Sequence, residues 1–375
     1  MKRVSIGVLI LCVAFLSVAW GQQPTCMFSP FWAEFHKQNM QRENRCEKML
    51  NVGNVGDLAL KWSYKAGGVS SSPAVADGVV YFGSDDSNVY ALNANSGAKL
   101  WSYKTGGEIQ SSPAVANGVV YVGSDDGNLY ALHADTGTKL WSYATGLVNY
   151  SSPAVANGVV YVGSYYGHSV YALNAKTGTK LWSYITGGIV FSSPAVADGV
   201  VYFTSDDQKV YARNAKTGAK LWSYTTGGPV DSSPAVANGV VYVGSDDGNV
   251  YALRAKTGAH LWSYSTRNAV YSSPAVANGV VYVGGAGDVY ALNARTGAYL
   301  WNFGTQGPVF SSPAVANGVV YVGSDDYNVY ALNAKTGALL WSYATDNTVY
   351  SSPAVSNGIV YVGTGTNNVS AFGLN

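Results

Sequence analysis

Between Ser111 and Gly146 the chain reads SSPAVANGVVYVGSDDGNLYALHADTGTKLWSYATG, with apolar side chains on the two-residue period of a strand and turn-forming residues at regular intervals. Four strands are predicted: a in SSPAV, b in GVVYVG, c in NLYAL and d in KLWSY. Asn117-Gly118 supplies the positive backbone angles of a tight hairpin between a and b. Asp125 to Asn128 turns b into c, and Asp135-Thr136-Gly137 turns c into d. One such stretch is a four-stranded antiparallel meander.

The stretch recurs about every 40 residues. Its prolines are Pro73, Pro113, Pro153, Pro194, Pro234, Pro274, Pro313 and Pro353, and its tryptophans are Trp62, Trp101, Trp141, Trp182, Trp222, Trp262, Trp301 and Trp341. Val, Tyr, Leu, Ala and Trp occupy both odd and even positions, so each sheet is apolar on both faces and must be covered twice. Radial stacking with closure covers every face, whereas a straight solenoid needs polar caps at its ends, and no copy has the composition of a cap. The chain ends argue for closure more directly. LALKWSYK, Leu58 to Lys65, is a strand d with no a to c before it, and the final copy stops after strand c at Val369 to Asn375. Together the fragments make one sheet. The expected fold is an all-β, eight-bladed propeller over residues 58–375, closed by an N-terminal strand d that completes the C-terminal blade.

Residues 1–21 read as a secretory signal, with Lys2 and Arg3, an apolar run from Val4 to Val18, and Ala19-Trp20-Gly21 placing small residues where a signal peptidase reads. The apolar run is too short to suggest a transmembrane helix, and neither Cys12 nor Cys26 follows the small residue that lipid attachment favours. The expected location is therefore periplasmic or extracellular. Residues 22–57 form an N-terminal extension in which Cys26 and Cys46 are expected to pair, a disulfide contributing on the order of 3 kcal/mol in an oxidising compartment. Phe31, Trp32 and Phe35 are expected to pack this extension against the side or one end of the ring.

Only 11% of residues are charged and the formal net charge is +1, against roughly 25% charged in ordinary domains. A nucleic-acid partner is not expected from such a balance, and the ring is expected to be a monomer.

In ALHADTGTKLW, Ala131 to Trp141, an alanine precedes Thr136-Gly137 by five residues and Trp141 by ten. The spacing resembles the tryptophan-docking motif AxDxxTGKxxW of quinoprotein dehydrogenases, in which the strand d ring stacks over the turn glycine of a neighbouring blade. It recurs at Ala91, Ala172, Ala212, Ala252, Ala291 and Ala331. The chain from about Asn51 to Asn375 thus resembles the pyrroloquinoline-quinone-like (PQQ-like) β-propeller repeat family. That family includes quinone-dependent alcohol dehydrogenases and a non-catalytic lipoprotein subunit of the outer-membrane barrel assembly machine. The resemblance implies that the eight tryptophans are structural, and burial of equivalent rings between blades implies the same.

For the dehydrogenases the resemblance implies calcium held by Glu, Asn and Asp beside the quinone, an Asp base, and commonly an adjacent Cys-Cys pair. This chain has no adjacent cysteines, and of its glutamates Glu34, Glu43, Glu47 and Glu108 only the last lies within the repeats. His133, His168 and His260 lack metal-ligand spacing. No catalytic residue, metal or cofactor is expected; PQQ with calcium belongs only to the alternative reading of a divergent oxidoreductase.

Positions that vary between near-identical copies are those that packing leaves free. Two zones vary most. The residue before each SSP is Ser70, Gln110, Tyr150, Phe191, Asp231, Tyr271, Phe310 or Tyr350, and the b-to-c turn reads SDDSN, SDDGN, SYYGHS, SDDQK, SDDGN, GAGD, SDDYN or TGTNN. In a meander the d-to-a connections and the b-to-c turns emerge together, so both zones fall on one rim, around the channel mouth. The Asp pairs (Asp85-Asp86, Asp125-Asp126, Asp206-Asp207, Asp246-Asp247 and Asp325-Asp326) share this rim, whereas Lys99, Lys139, Lys176, Lys180, Lys216, Lys220, Lys256 and Lys335 lie at the opposite c-to-d turns. Such a field orients a partner, although Asp pairs also shape turns by bonding local backbone. The expected function is non-catalytic binding of a protein or peptide through Gln110, Tyr150, Phe191, Asp231, Tyr271, Phe310 and Tyr350, with a glycan as the other ligand class.

Overall fold

The computed structural model of the chain describes residues 42–148, 150–364 and 367–375. Eight antiparallel sheets stand around a central channel. In blade 1, strand a is Ala74–Ala76, b is Val79–Gly83, c is Asn88–Asn93 and d is Lys99–Lys104, each paired with the next. Blades 2 to 7 repeat this over residues 114–144, 154–185, 195–225, 235–265, 275–304 and 314–344. Blade 8 takes strands a to c from Ala354–Ser356, Ile359–Thr364 and Asn368–Gly373 and its strand d from Ala59–Lys65, with Ala59 opposite Gly373 and Lys65 opposite Asn368. The two chain ends therefore meet inside a sheet. Among the described residues no helix is long and apolar enough to cross a membrane.

Local chemistry sets each turn. Asn117 and Gly118 take φ of +52° and +73°, the hairpin geometry that this dipeptide favours. Strands b and c bury consecutive residues, as in Val80-Tyr81-Phe82 and Val89 to Leu92, because neighbouring sheets cover both faces. Strand a is shorter than its SSPAV motif predicts: only Ala-Val-Ala joins the ladder. Proline has no N–H to offer, and the serine before it turns its own N–H sideways to the next blade.

That sideways bond runs all the way round. The N–H of Ser72 donates to Ser112 Oγ at 2.9 Å, Ser112 to Ser152 at 3.0 Å and Ser152 to Ser193 at 2.9 Å. The sequence continues through Ser233, Ser273, Ser312 and Ser352 back to Ser72. Each preceding serine bonds within its own blade, its Oγ accepting from strand b, as Ser71 does from Gly83 N–H at 3.0 Å. The motif thus carries one serine for the sheet and one for the ring.

The tryptophans join blades at the outer edge. Trp222 Nε1 donates to Ala255 O in the next blade at 2.8 Å, and its ring lies where a Cβ on Gly258 would sit, 2.6 Å from the nearest ring atom. Trp341 departs from this pattern, since blade 8 has no c-to-d turn of its own. Its Nε1 donates instead to Leu58 O at 2.9 Å. At the same joint Tyr321 OH is buried without a partner, whereas Tyr282, its counterpart one blade earlier, donates to Ala334 O at 3.0 Å.

Residues 42–44 pack against inner strands and extend the expected four-stranded pattern, and the segment then crosses to the outer strand Leu339–Ala344, where Val55–Asp57 lies. Glu43–Asn44 pairs in parallel with Ala314–Ala316, so blade 7 has five strands. Buried Arg42 donates from Nε to Pro313 O at 2.7 Å and from an Nη to Pro353 O at 3.1 Å. Desolvation lowers its guanidinium to about 9. Glu47 accepts from the N–H of Gly358 at 3.0 Å. Cys46 is disulfide-bonded. Cys26, expected as its partner, lies outside the described residues, as do Phe31, Trp32, Phe35 and the signal segment 1–21.

Candidate functional site

The two variable zones are bonded to each other. In blade 1, Asp85 N–H donates to Gly68 O at 2.8 Å, so the turn between b and c is tied to the connection entering that blade. Gly67 N–H donates to Asp86 Oδ2 at 3.2 Å. Equivalent backbone bonds join Asp125 to Glu108, Tyr165 to Leu147, Asp206 to Ile189, Asp246 to Pro229 and Asp325 to Pro308. The opposite rim is stitched separately, for example by Ala94 N–H to Gly78 O at 2.8 Å.

Apart from Asp207, whose Oδ1 is itself buried without a partner, the second aspartate of a pair does different work from the first. The second shapes the turn: Asp126 Oδ1 accepts from Asn128 N–H at 3.0 Å, and its Oδ2 accepts from Gly106 N–H at 2.8 Å and from Tyr130 OH at 2.6 Å. Burial alone would raise this carboxyl, but the bonds from Tyr130, Gly106 and Asn128 hold it below the usual carboxylate range. Asp86 and Asp247 behave alike. In four of the five pairs the first aspartate lacks such a donor at Oδ1. Oδ1 of Asp85, Asp206, Asp246 and Asp325 is buried without a partner, and desolvation followed by the field of Glu108 pushes Asp85 and Asp125 up to about 6.

At the centre of this rim is an open cavity of about 810 Å³. Gln110, Tyr150, Phe191, Asp231, Tyr271, Phe310 and Tyr350 all line it, with Ser70 completing the circle and the serine ring forming its floor. The structure thus brings every sequence-derived site residue to one place. The aromatic side chains fall into two groups in contact. Tyr150 and Phe191 have centroids 5.5 Å apart, while Tyr271–Phe310 and Phe310–Tyr350 are 5.3 and 5.7 Å apart. Tyr150, Tyr271 and Tyr350 keep 53%, 42% and 48% of their surface exposed, so packing leaves much of each ring free.

Tyr165, missed in the sequence, belongs to the site. It occupies the first-aspartate position of the SYYGHS turn, stacks edge-on against Phe191 at 5.3 Å and lines the cavity. The departure of that turn from SDD was the available signal. Between the two aromatic groups, Asp231 hydrogen-bonds the Asp206 carboxyl. Desolvation, that bond and the Asp206 charge all raise Asp231 well above an ordinary carboxyl.

The charge sorting holds for the aspartate pairs and the c-to-d lysines but is not complete. Lys65, Lys104 and Arg267 lie at the rim-side ends of outer strands, and Lys209 begins strand c beside Asp207, 3.7 Å from its carboxylate. Asp77, Asp135 and Asp198 sit on the other rim. Of the histidines, His168 and His260 are exposed, and His260 stacks on Tyr224 at 6.2 Å. Among the described residues no three His, Cys, Asp or Glu side chains are grouped to hold a metal ion.

A closed ring of eight four-stranded blades, joined by tryptophan over glycine, defines the chain as a propeller built from PQQ-like repeats. It belongs to that repeat family: the family described as outer membrane protein assembly factor BamB matches residues 37–150, 146–266, 224–303 and 285–374. The chain is similar to the lupanine 17-hydroxylase [cytochrome c] of a Pseudomonas species, 32% identical over 104 residues, a match that covers 27% of this chain and 15% of that protein. Among solved structures, a europium-containing methanol dehydrogenase superposes with a TM-score of 0.84 at 16% identity, covering 93% of this chain and 99% of that one. BamB from Moraxella catarrhalis superposes with a TM-score of 0.71 at 20% identity, covering 84% and 99%. At these identities the likeness is one of fold.

Proposed function

We propose that the protein is a secreted or periplasmic, non-catalytic scaffold that captures a protein or peptide segment at the acidic, aromatic mouth of its channel. One observation carries the reading: the two zones in which the copies differ most are bonded to each other and enclose a single cavity, while the opposite rim repeats almost unchanged. Exposed aromatic rings over a cavity supply contact area at low entropy cost. The family description, an outer membrane protein assembly factor, supports a role without chemistry.

The same mouth does not fit the quinone and calcium of the dehydrogenases. A calcium ion takes six to eight oxygen ligands. The cavity wall offers aromatic rings, serines, Gln110 and the Asp231 carboxyl, and the nearby Asp206 carboxyl is already bonded to Asp231. Oxidoreduction is supported by likeness of fold and by sequence matches confined to short stretches, such as 39% identity over 57 residues of a quinohemoprotein alcohol dehydrogenase, 8% of that protein, so no reaction is assigned.

The test replaces Tyr150, Phe191 and Tyr271 with alanine together. Capture of envelope proteins, identified by mass spectrometry and repeated with the purified partner, is expected to be lost while the melting temperature stays within about 2 °C of the parent. Undiminished capture by the triple variant overturns the reading. Neutral glycans retained on an array, with no protein captured, would move the function to carbohydrate binding.

A further inference from the structure

The hydrogen-bonding groups of the mouth are out of balance. Among the described residues nine buried polar side-chain atoms lack a partner; seven of these are carboxylate or amide oxygens on this one rim, and two of the seven, Gln110 Oε1 and Asp231 Oδ1, belong to side chains that line the cavity. Buried acceptors without donors carry a desolvation cost. A ligand that relieves it must bring donors.

The placement of Asp231 narrows the choice. Around the ring it stands between Phe191 and Tyr271, with the Tyr150–Phe191 pair on one side and the Tyr271–Phe310–Tyr350 row on the other. Aromatic faces attract cations, and the Asp231–Asp206 pair beside them, two carboxyls sharing one proton, keeps one negative charge for charge-assisted bonds with N–H donors. Acidic groups act on both aromatic groups: Asp125, Asp85 and Glu108 on Tyr150, and Asp246 and Asp231 on Tyr271. A cavity of about 810 Å³ is far larger than a bare ion requires, and its walls are rings, which do not ligate hard cations. A long apolar stem ending in a cationic head matches both the walls and the acid.

We infer that the mouth selects a lysine or arginine side chain of an extended partner peptide, its stem along the aromatic rows and its charged head at the Asp231–Asp206 pair. This rests on the reading of the mouth as a peptide site and specifies what that site recognises. Neutral glycans match the rings but not the surrounding negative field, and acidic segments are repelled by it.

The experiment pans a random peptide library against the full chain, then measures purified binders by titration calorimetry. The selected peptides are expected to carry lysine or arginine, and replacing that residue with norleucine is expected to weaken binding about tenfold or more, a loss of about 1.4 kcal/mol. The Asp206→Asn, Asp231→Asn double variant, which removes the charge of the pair, is expected to bring the lysine peptide down to the norleucine affinity without altering the norleucine peptide, which also reports that the variant is folded. Binders lost in the Tyr150, Phe191 and Tyr271 alanine variant that nevertheless tolerate norleucine overturn the cation assignment and leave the peptide site standing. Binders indifferent to that triple variant overturn both.

Discussion

Ser352 donates its backbone N–H to Ser72 Oγ at 2.8 Å, across 280 residues of chain. This bond completes the ring of eight and joins blade 8, assembled from both chain ends, to blade 1. Ser72→Ala leaves a buried N–H without an acceptor, a loss of about 1–3 kcal/mol. Native-state hydrogen exchange should show the Ser352 amide losing protection. The amide of Ser193, four blades away and bonded to Ser233, should be unaffected.

Gly258 has φ of +73°, and a methyl group there would meet the Trp222 ring at 2.6 Å. Gly258→Ala therefore combines backbone strain with overpacking, and is expected to cost about 2–4 kcal/mol in denaturant unfolding. Trp222→Ala opens the same joint from the other side at about 3–5 kcal/mol. The double variant should cost less than the sum, because Trp222→Ala removes the ring against which Gly258→Ala strains.

Arg213 breaks the repeat at a packed position. Leu92, Leu132, Leu173, Leu253, Leu292 and Leu332 stand there in six other copies and Phe372 in the last. The guanidinium lies 3.4 Å over the Tyr184 ring, with Nε buried and unpartnered. Replacing a desolvated charge by the apolar residue of its neighbours is stabilising in other buried ionic sites. Arg213→Leu is accordingly expected to gain about 1 kcal/mol, read as a higher melting temperature.

The acidic mouth makes stability depend on pH. Asp85 and Asp125, raised to about 6 from a reference of 3.8, bind more protons in the folded than in the unfolded chain between those values. Their contribution is fully present below about pH 4 and is lost as pH rises through 6. The Asp85→Asn, Asp125→Asn double variant should match the parent at pH 4 and melt about 2 °C higher at pH 7, a small gain because the rim is partly solvated. A gain confined to acid pH would contradict this assignment.

Strand order, blade number and closure were all readable because hydrophobic period and turn dipeptides act locally and repeat. The convergence of Tyr150, Phe191 and Tyr271 followed from topology alone. The serine ring did not, since a bond from one copy to the next exists only once blades stand side by side. The four bonds that Asp126 accepts come mostly from nearby residues, Asn128 two positions on and Tyr130 four positions on, with only Gly106 N–H reaching it from the incoming connection. Which aspartate is held therefore depends on how the folded turn aims the two carboxylates. Arg213 could have been found by aligning the copies. Residues 42–50 carry no periodicity, so their insertion beside Ala314–Ala316 had no precursor in the pattern.

Pairing the termini within blade 8 also shapes the response of the molecule to force. Ala59 and Gly373 lie at the same end of an antiparallel ladder, so tension between the two ends would part that ladder one rung at a time, like a zip. Tension entering from the N-terminal side, however, meets Arg42 and Glu47 before it reaches Ala59, and these side chains grip Pro313, Pro353 and Gly358. The tail acts as a strain relief, holding the weakest loading direction of the propeller shut.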